Sequence, residues 1–295
     1  MVRQLRKGIL LAGGSGTRLH PITITTSKQL LPIYDKPMIY YSLSVLMVAG
    51  IQELALITTQ ESRTQYESLL GTGERWGVSI KYIVQPSPDG LAQAYILAED
   101  FIDESPTLMV LGDNIFYGHG LSDLLSETPA DKGATIFGYH VADPERYGVV
   151  ELDPSGKALR IEEKPLQPLS NYAVTGLYLL DGSAPSRARQ VKPSSRGELE
   201  ITSILNSYLD DGLLSVSVMG RGFSWLDTGT HSSLLDASNF VRTLQERQGL
   251  QVGCLEEIAF RNGWISLKEL DQAALGYPNN SYGHYLKRLA DNYRN

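Results

Sequence analysis

The chain has 295 residues, 42% apolar and 20% charged, with 26 Lys and Arg against 33 Asp and Glu. That balance excludes bulk disorder, and the length admits one large domain or two, each with a sizeable core. The formal net charge of −7 argues against a general nucleic-acid binder, which needs a basic face to neutralise phosphates.

Basic residues precede an apolar patch at the N-terminus, but only Ile9 to Ala12 run continuously apolar, short of the roughly 7–15 residues of a secretory core. No run approaches the roughly 18 apolar residues of a membrane helix. The single Cys254 forms no intrachain disulfide and fits a reducing compartment as a buried small apolar side chain. The expectation is a soluble, cytoplasmic protein without a membrane partner.

Residues 8–12 read as a buried strand entering the glycine-rich segment Gly13 to Gly16. Asp35-Lys36-Pro37 opens a predicted helix to Ala49, with Pro37 in its first turn and Gly50 closing it. A strand at 54–58, a helix at 61–70, a strand at 78–84, a helix at 91–102 and a strand at 107–111 follow. This alternation predicts a mostly parallel sheet covered by helices, with ligands outside the carboxyl ends of the strands. From 134 two strands about the turn Pro154-Ser155-Gly156 add an antiparallel element. A strand at 172–180, a helix from near Glu198 and a strand at 213–219 lead to Trp225-Leu226-Asp227. Helical patterns then fill 231–248, 254–262, 266–274 and 284–293. The predicted organisation is one large α/β unit, a core over 1–230 and a helical extension over 231–295 suited to covering a subunit interface.

Chemistry concentrates in a few segments. Leu11-Ala-Gly-Gly-Ser-Gly-Thr-Arg-Leu19 lets backbone N–H groups approach phosphate oxygens, with Arg18 as a fixed cation. No Gly-Lys-Ser/Thr follows, so it is not a P-loop, and bulky Leu19 spoils a dinucleotide fingerprint. Lys28, ten residues after Arg18, is a second cation for a polyphosphate. Asp113 closes one apolar strand and Asp227 follows Trp225 and Leu226; two such acids can share Mg²⁺ with substrate phosphates and water. Glu162-Glu163-Lys164-Pro165 suits sugar hydroxyls and a phosphate, and Tyr147-Gly148 offers a backbone donor beside a phenol. Histidines 20, 119, 140, 231 and 284 are scattered, there is no GxSxG elbow, and Cys254 has no histidine near it in sequence. Covalent nucleophilic catalysis therefore has no support.

These segments, with QPSPDGLAQA (85–94), LGDNIFYG (111–118), RYGVVELD (146–153), RGELEIT (196–202) and WLDTGTHSSLLDA (225–237), identify the chain as resembling the sugar-1-phosphate nucleotidyltransferases, most closely their thymidylyl-transferring members. The resemblance spans nearly the whole chain. It implies a Rossmann-like α/β core with an antiparallel sugar-binding insertion and C-terminal helices. It further implies Mg²⁺-dependent attack by glucose 1-phosphate on the α-phosphorus of dTTP, giving dTDP-glucose and pyrophosphate.

By that resemblance Gly13, Gly14, Gly16 and Thr17 cradle the nucleotide phosphates, Gln29 lies close by, and Arg18 and Lys28 act in catalysis. Gln85 and Gly90 read the base, and Asp113 and Asp227 hold the metal. Tyr147, Gly148, Glu163, Lys164, Asn171 and Val174 take the sugar phosphate. The family's short members form tetramers with a second, regulatory site, for which Tyr117, Gly118, Glu257 and Arg261 are the matching positions. Two departures are Ser203-Ile204-Leu205, where relatives carry a more polar pairing, and a slightly long Gln4 to Lys7 lead-in.

The Gln85 amide matches the imide edge shared by thymine and uracil, so it does not separate dTTP from UTP. Competing readings are the same chemistry with UTP or CTP, and a silent sugar-nucleotide-binding regulatory subunit, against which Arg18, Lys28, Asp113 and Asp227 together speak. A nicotinamide dehydrogenase is disfavoured because the 54–58 strand ends in Thr58-Thr59-Gln60 without an acid.

Overall fold

A computed structural model describes residues 6–14, 16–129 and 132–294; the lead-in around Gln4 and Ser15 of the glycine segment lie outside them. Four strands with apolar centres, Ser79–Val84, Glu53–Thr58, Lys7–Ala12 and Thr107–Leu111, lie side by side in parallel. Leu54 to Ile57 and Leu108 to Val110 are buried, as strands covered on both faces must be. The mainly parallel sheet is therefore as expected, and Gly13, Gln85 and Gly112 sit just past its carboxyl ends.

Tyr172–Leu180 joins Thr107–Leu111 antiparallel and turns the sheet mixed. The hairpin of Gly148–Leu152 and Ala158–Glu163 attaches near its start, and Ala134–His140 pairs along it, with Leu214–Met219 outermost and parallel. Together they make a nine-stranded sheet. The hairpin turn forms where expected: Asp153 Oδ1 accepts from the Ser155 and Lys157 amides at 2.8 and 3.0 Å, and Gly156 takes a φ of 86°.

A small separate sheet has a larger consequence than its size. Asn114–Gly118, not anticipated as a strand, pairs antiparallel with Phe223–Asp227, and the register sets Asp227 opposite Asn114. Two acids 114 positions apart in the chain are thereby brought to one place.

Three predicted helices are corrected. The first begins at Ile39, not at Asp35, because Lys36–Pro37 bridges to Pro32–Ile33 and occupies the residues assigned to the opening turn. The 91–102 helix divides at Ala98 into Gln93–Leu97 and Glu99–Ile102. The one placed near Glu198 starts at Ile201, after a loop engaged with residues 89–92.

Every residue of Ile39–Val48 from Ile39 to Met47 is buried. A helix apolar on all sides needs cover on all sides. It packs against Leu255–Arg261, and Leu255, Ala259, Ile265, Leu270 and Leu286 of the C-terminal region belong to the same continuous core. Of the C-terminal helices His231–Gln248, Leu255–Arg261, Leu267–Leu275 and Ser281–Asn292, all but the second begin on side-chain caps, at Thr230, Ser266 and Asn280. No helix among the described residues is long and apolar enough to cross a membrane.

Candidate active site

The strand Lys7–Ala12 delivers the chain to the glycine loop, where two positions take a backbone that larger residues adopt only with strain. Gly14 has a φ of 98° and Gly16 of 61°, and a Cβ on Gly13 would stand 2.0 Å from Gln85 Oε1. The Thr23 hydroxyl donates to the Gly16 carbonyl at 2.7 Å and ties down the far end of the loop.

Lys28 and Gln29 lie in the short turn Lys28–Leu30 and are 8% and 5% exposed. Gln29 Nε2 donates to the Gly13 carbonyl at 3.4 Å and its Oε1 accepts from the Ser27 hydroxyl at 2.7 Å. Lys28 Nζ meets Asp113 Oδ2 at 2.5 Å. Burial pushes the Asp113 carboxyl up, but the Lys28 charge and hydrogen bond, a bond from Asn114 and the Arg18 charge outweigh it and hold the pKa below the ordinary value.

Asp227 behaves oppositely. Burial and the neighbouring Asp113 charge raise its carboxyl above the ordinary range, against the pull of Lys28, Arg18 and Arg146. Arg146 Nη2 stands 3.3 Å from Asp227 Oδ2 and its Nη1 2.6 Å from Asp143 Oδ2. Two carboxylates opening on one cleft, one of them strained by the other, fit a hard divalent cation that fills its remaining positions with phosphate oxygens and water. No group of three or more His, Cys, Asp or Glu poised for a metal occurs among the described residues.

The opposite wall comes from the antiparallel hairpin. Glu163 ends its second strand, with Lys164 Nζ 3.8 Å and Arg196 Nη2 3.6 Å from Oε1. Burial, with Glu200 nearby, raises the Glu163 carboxyl despite both cations. Lys164 takes a φ of 46°, and its amide donates to the Tyr147 carbonyl at 3.0 Å. The Tyr147 ring packs on Trp225 at 5.0 Å, and burial pushes its hydroxyl up to about 12. A Cβ on Gly148 would reach Thr202 Cγ2 at 3.1 Å and Glu163 Oε2 at 3.3 Å, so glycine keeps that corner open.

Together these groups line one cleft of roughly 470 Å³. It contains every expected nucleotide, metal and sugar-phosphate position except Asn171, whose amide donates to the Val141 carbonyl at 3.0 Å. Tyr117, Gly118, Glu257 and Arg261 lie elsewhere. The Tyr117 hydroxyl donates to Gln248 Oε1 at 3.3 Å and its ring meets Phe240. A Cβ on Gly118 would collide with the Phe223 ring at 2.4 Å. Glu257 accepts from the Tyr285 hydroxyl at 2.5 Å and from Arg261 Nε at 2.8 Å.

Several lining residues had no assigned role in sequence: Arg146, Arg196, Glu198, Glu200, Thr202 and Trp225. Arg146 stands directly before Tyr147-Gly148 and Arg196 opens RGELE; a cation beside a candidate motif in an acidic chain was the available signal. Trp225 earns its place by donating from Nε1 to Asn114 Oδ1 at 2.6 Å, which locks the two-stranded sheet beneath both acids.

A cleft with a glycine loop, two cations and paired acids at one end and the polar groups Glu163 and Lys164 at the other has the composition a nucleotidyl-transferring enzyme needs. The nucleotidyl transferase family model matches residues 7–243, and the chain belongs to that family. It is 60% identical to the glucose-1-phosphate thymidylyltransferase of Xanthomonas campestris pv. campestris (strain B100), over 97% of each chain. Identity to the enzyme of that name from Neisseria meningitidis is 57%, over 96% of this chain and 99% of that one. Among solved structures, one assigned to a glucose-1-phosphate thymidylyltransferase of Bacillus anthracis superposes with a TM-score of 0.75 at 44% identity, covering 80% of this chain and 95% of that one. UDP-glucose pyrophosphorylase complexed with UDP-glucose gives 0.72 at 26% identity, covering 81% and 99%.

Proposed function

We propose that this chain converts dTTP and glucose 1-phosphate to dTDP-glucose and pyrophosphate. One observation carries the reading: Lys28, Arg18, Asp113 and Asp227 converge on the glycine loop while Glu163 and Lys164 face them across the same cleft. Identity of 60% to a thymidylyltransferase over nearly the full length supports the particular substrates.

A phosphate oxygen of glucose 1-phosphate attacks the α-phosphorus, the bond to the β-phosphate oxygen breaks, and pyrophosphate leaves with the electron pair. The chain's task is to hold two polyanions in line and to stabilise the charge that develops. Gly13, Gly14, Gly16 and Thr17 hold the triphosphate, with Gln29 beneath them. Lys28, already buried and aimed, and Arg18 offset the leaving charge. Asp113 and Asp227 would hold a divalent cation, Mg²⁺ in this reading, which when bound would neutralise phosphate charge. Glu163 takes sugar hydroxyls, Lys164 and the Gly148 amide the sugar phosphate, and Tyr147 and Val174 its apolar edge. Gln85 and Gly90 receive the base.

The same reading makes the protein a cytoplasmic homotetramer, in keeping with its nucleotide substrates and the family resemblance. It assigns a second, regulatory sugar-nucleotide site to the Tyr117, Gly118, Glu257 and Arg261 region. Pyrophosphate release with Mg²⁺ and glucose 1-phosphate, run in parallel with dTTP, UTP, CTP, ATP and GTP, tests the reaction. A clear dTTP preference is expected; release with another nucleotide alone would overturn the base assignment, and none with any would overturn the reaction.

A further inference from the structure

We propose that Asp89 and Gln93 are positioning residues that fix which way round the Gln85 amide faces the base, so that the site accepts an imide and refuses cytosine. The inference rests on the reading of Gln85 as the base-recognising group.

Gln85 is 6% exposed at the cleft wall, with Oε1 turned toward the glycine loop. Its Nε2 donates to Gln93 Oε1 at 2.7 Å, and Gln93 Nε2 donates to Asp89 Oδ2 at 2.8 Å. The Ser87 hydroxyl donates to the same carboxylate oxygen at 2.5 Å. A side-chain amide can turn over and exchange donor for acceptor, but a carboxylate only accepts. The acid at the end of the chain therefore sets the direction of both amides. Gln93 must give its N–H to Asp89 and its carbonyl to Gln85, which leaves Gln85 its carbonyl and one N–H for the base.

Thymine offers an N3–H donor beside a carbonyl acceptor and matches that order. Cytosine offers an N3 acceptor beside an amino donor and needs the reverse. Turning Gln85 over would set its carbonyl against the Gln93 carbonyl, and turning Gln93 as well would set a carbonyl against the Asp89 carboxylate. Either sets two oxygens face to face without a proton between them, the first pair partly buried and the second exposed.

The backbone carrying this relay is held independently of the side chains. The Leu199 amide donates to the Asp89 carbonyl at 2.6 Å, and the Ala92 amide to the Leu199 carbonyl at 3.0 Å. Between them Gly90 has a φ of 115°, and a Cβ there would lie 2.4 Å from the Leu199 carbonyl oxygen. Gly90 thus serves by letting two loops touch, which keeps Asp89 and Gln93 in register with Gln85.

The test is pyrophosphate release with Mg²⁺, glucose 1-phosphate and either dTTP or dCTP, in wild type, Asp89→Asn, the double variant Asp89→Asn with Gln93→Glu, and Gln85→Leu. Asp89 is exposed, and unchanged circular dichroism would establish that its variants fold. An amide at 89 lets the relay run either way, so the dTTP over dCTP preference should fall ~10-fold. The fall should lie in the nucleotide KM, with the glucose 1-phosphate KM unmoved. The double variant moves the carboxylate one step nearer, where it accepts from both neighbours, and should restore the preference. A merely structural role for Asp89 would show no such rescue. An unchanged preference in Asp89→Asn, or a loss that the double variant does not restore, overturns the relay. If Gln85→Leu also leaves the preference unchanged, the base-reading assignment falls with it; if Gln85→Leu alone lowers it, only the relay falls.

Discussion

Two charged clusters lie deep in this molecule, and they are built on opposite principles. At the cleft, Lys28 and Asp113 pair at 2.5 Å while Asp227 stands beside them with a raised carboxyl and Arg146 at 3.3 Å. At the seam between the core and the C-terminal helices, Lys36 Nζ donates to Asp35, Gln245 and Gln251 at 2.7, 3.1 and 2.9 Å. Nearby, Glu256, 3% exposed, accepts from Trp76 Nε1 at 3.0 Å and from the Tyr282 hydroxyl. The seam cluster answers its buried charges with protein partners; the cleft keeps like charges together and leaves them open to a ligand. Buried polar groups are stable when matched and useful when left to be matched by a substrate.

The largest effect expected from breaking this contrast is at Asp113. Asp113→Asn should lower turnover by on the order of 10³, with little change in melting temperature. Loss of the Lys28 partner is offset by relief of Asp227, and near-normal turnover would refute the metal assignment. Lys28→Ala should lower kcat on the order of 10² and raise KM less, as steady-state kinetics would show, because its charge acts on the leaving pyrophosphate.

Changes at the seam should reverse the pattern. Glu256→Ala strands the Trp76 N–H and the Tyr282 hydroxyl and should cost about 3 kcal/mol in urea denaturation. Glu256→Gln should cost less because its carbonyl still accepts, and kcat of the folded enzyme should stay at the wild-type value in both.

The smallest expected effect is a pH step at Glu163. Burial and the Glu200 charge raise its carboxyl, so on lowering the pH it takes up a proton before an ordinary glutamate would. The KM for glucose 1-phosphate should rise a few-fold through that window, and Glu163→Gln should abolish the step. Because the native pKa exceeds the unfolded one, proton uptake there stabilises the fold. A concurrent fall in melting temperature would therefore assign the step to another group.

Much of this was legible before any fold was known. Continuous apolar runs at 54–58 and 107–111 announce buried parallel strands, and Gly13, Gly14 and Gly16 after the first strand point to the loop that lines the cleft. The helix at 35–49 was misjudged at its start because Pro37 suits both a first helical turn and a short bridge, and local propensity does not choose between them. Asn114–Gly118 was overlooked because five residues carry little periodic signal. Arg146 and Arg196 carry no distinguishing signal of their own, because a lone arginine in sequence looks like any solvated cation. Asn171 rests on resemblance alone; it is not among the residues lining the cleft, and its amide donates to the Val141 carbonyl.

By itself the sequence determined the buried central strands, where glycine must replace a side chain, and which acids and cations were available for phosphate chemistry. Those are local matters of periodicity, backbone freedom and charge. Only the tertiary structure decided that Asp227 faces Asp113, that Lys28 is buried against it, and that Asp89 governs Gln85 through Gln93. Each depends on a register or an approach between distant segments, and such contacts are selected by the packing of the whole chain.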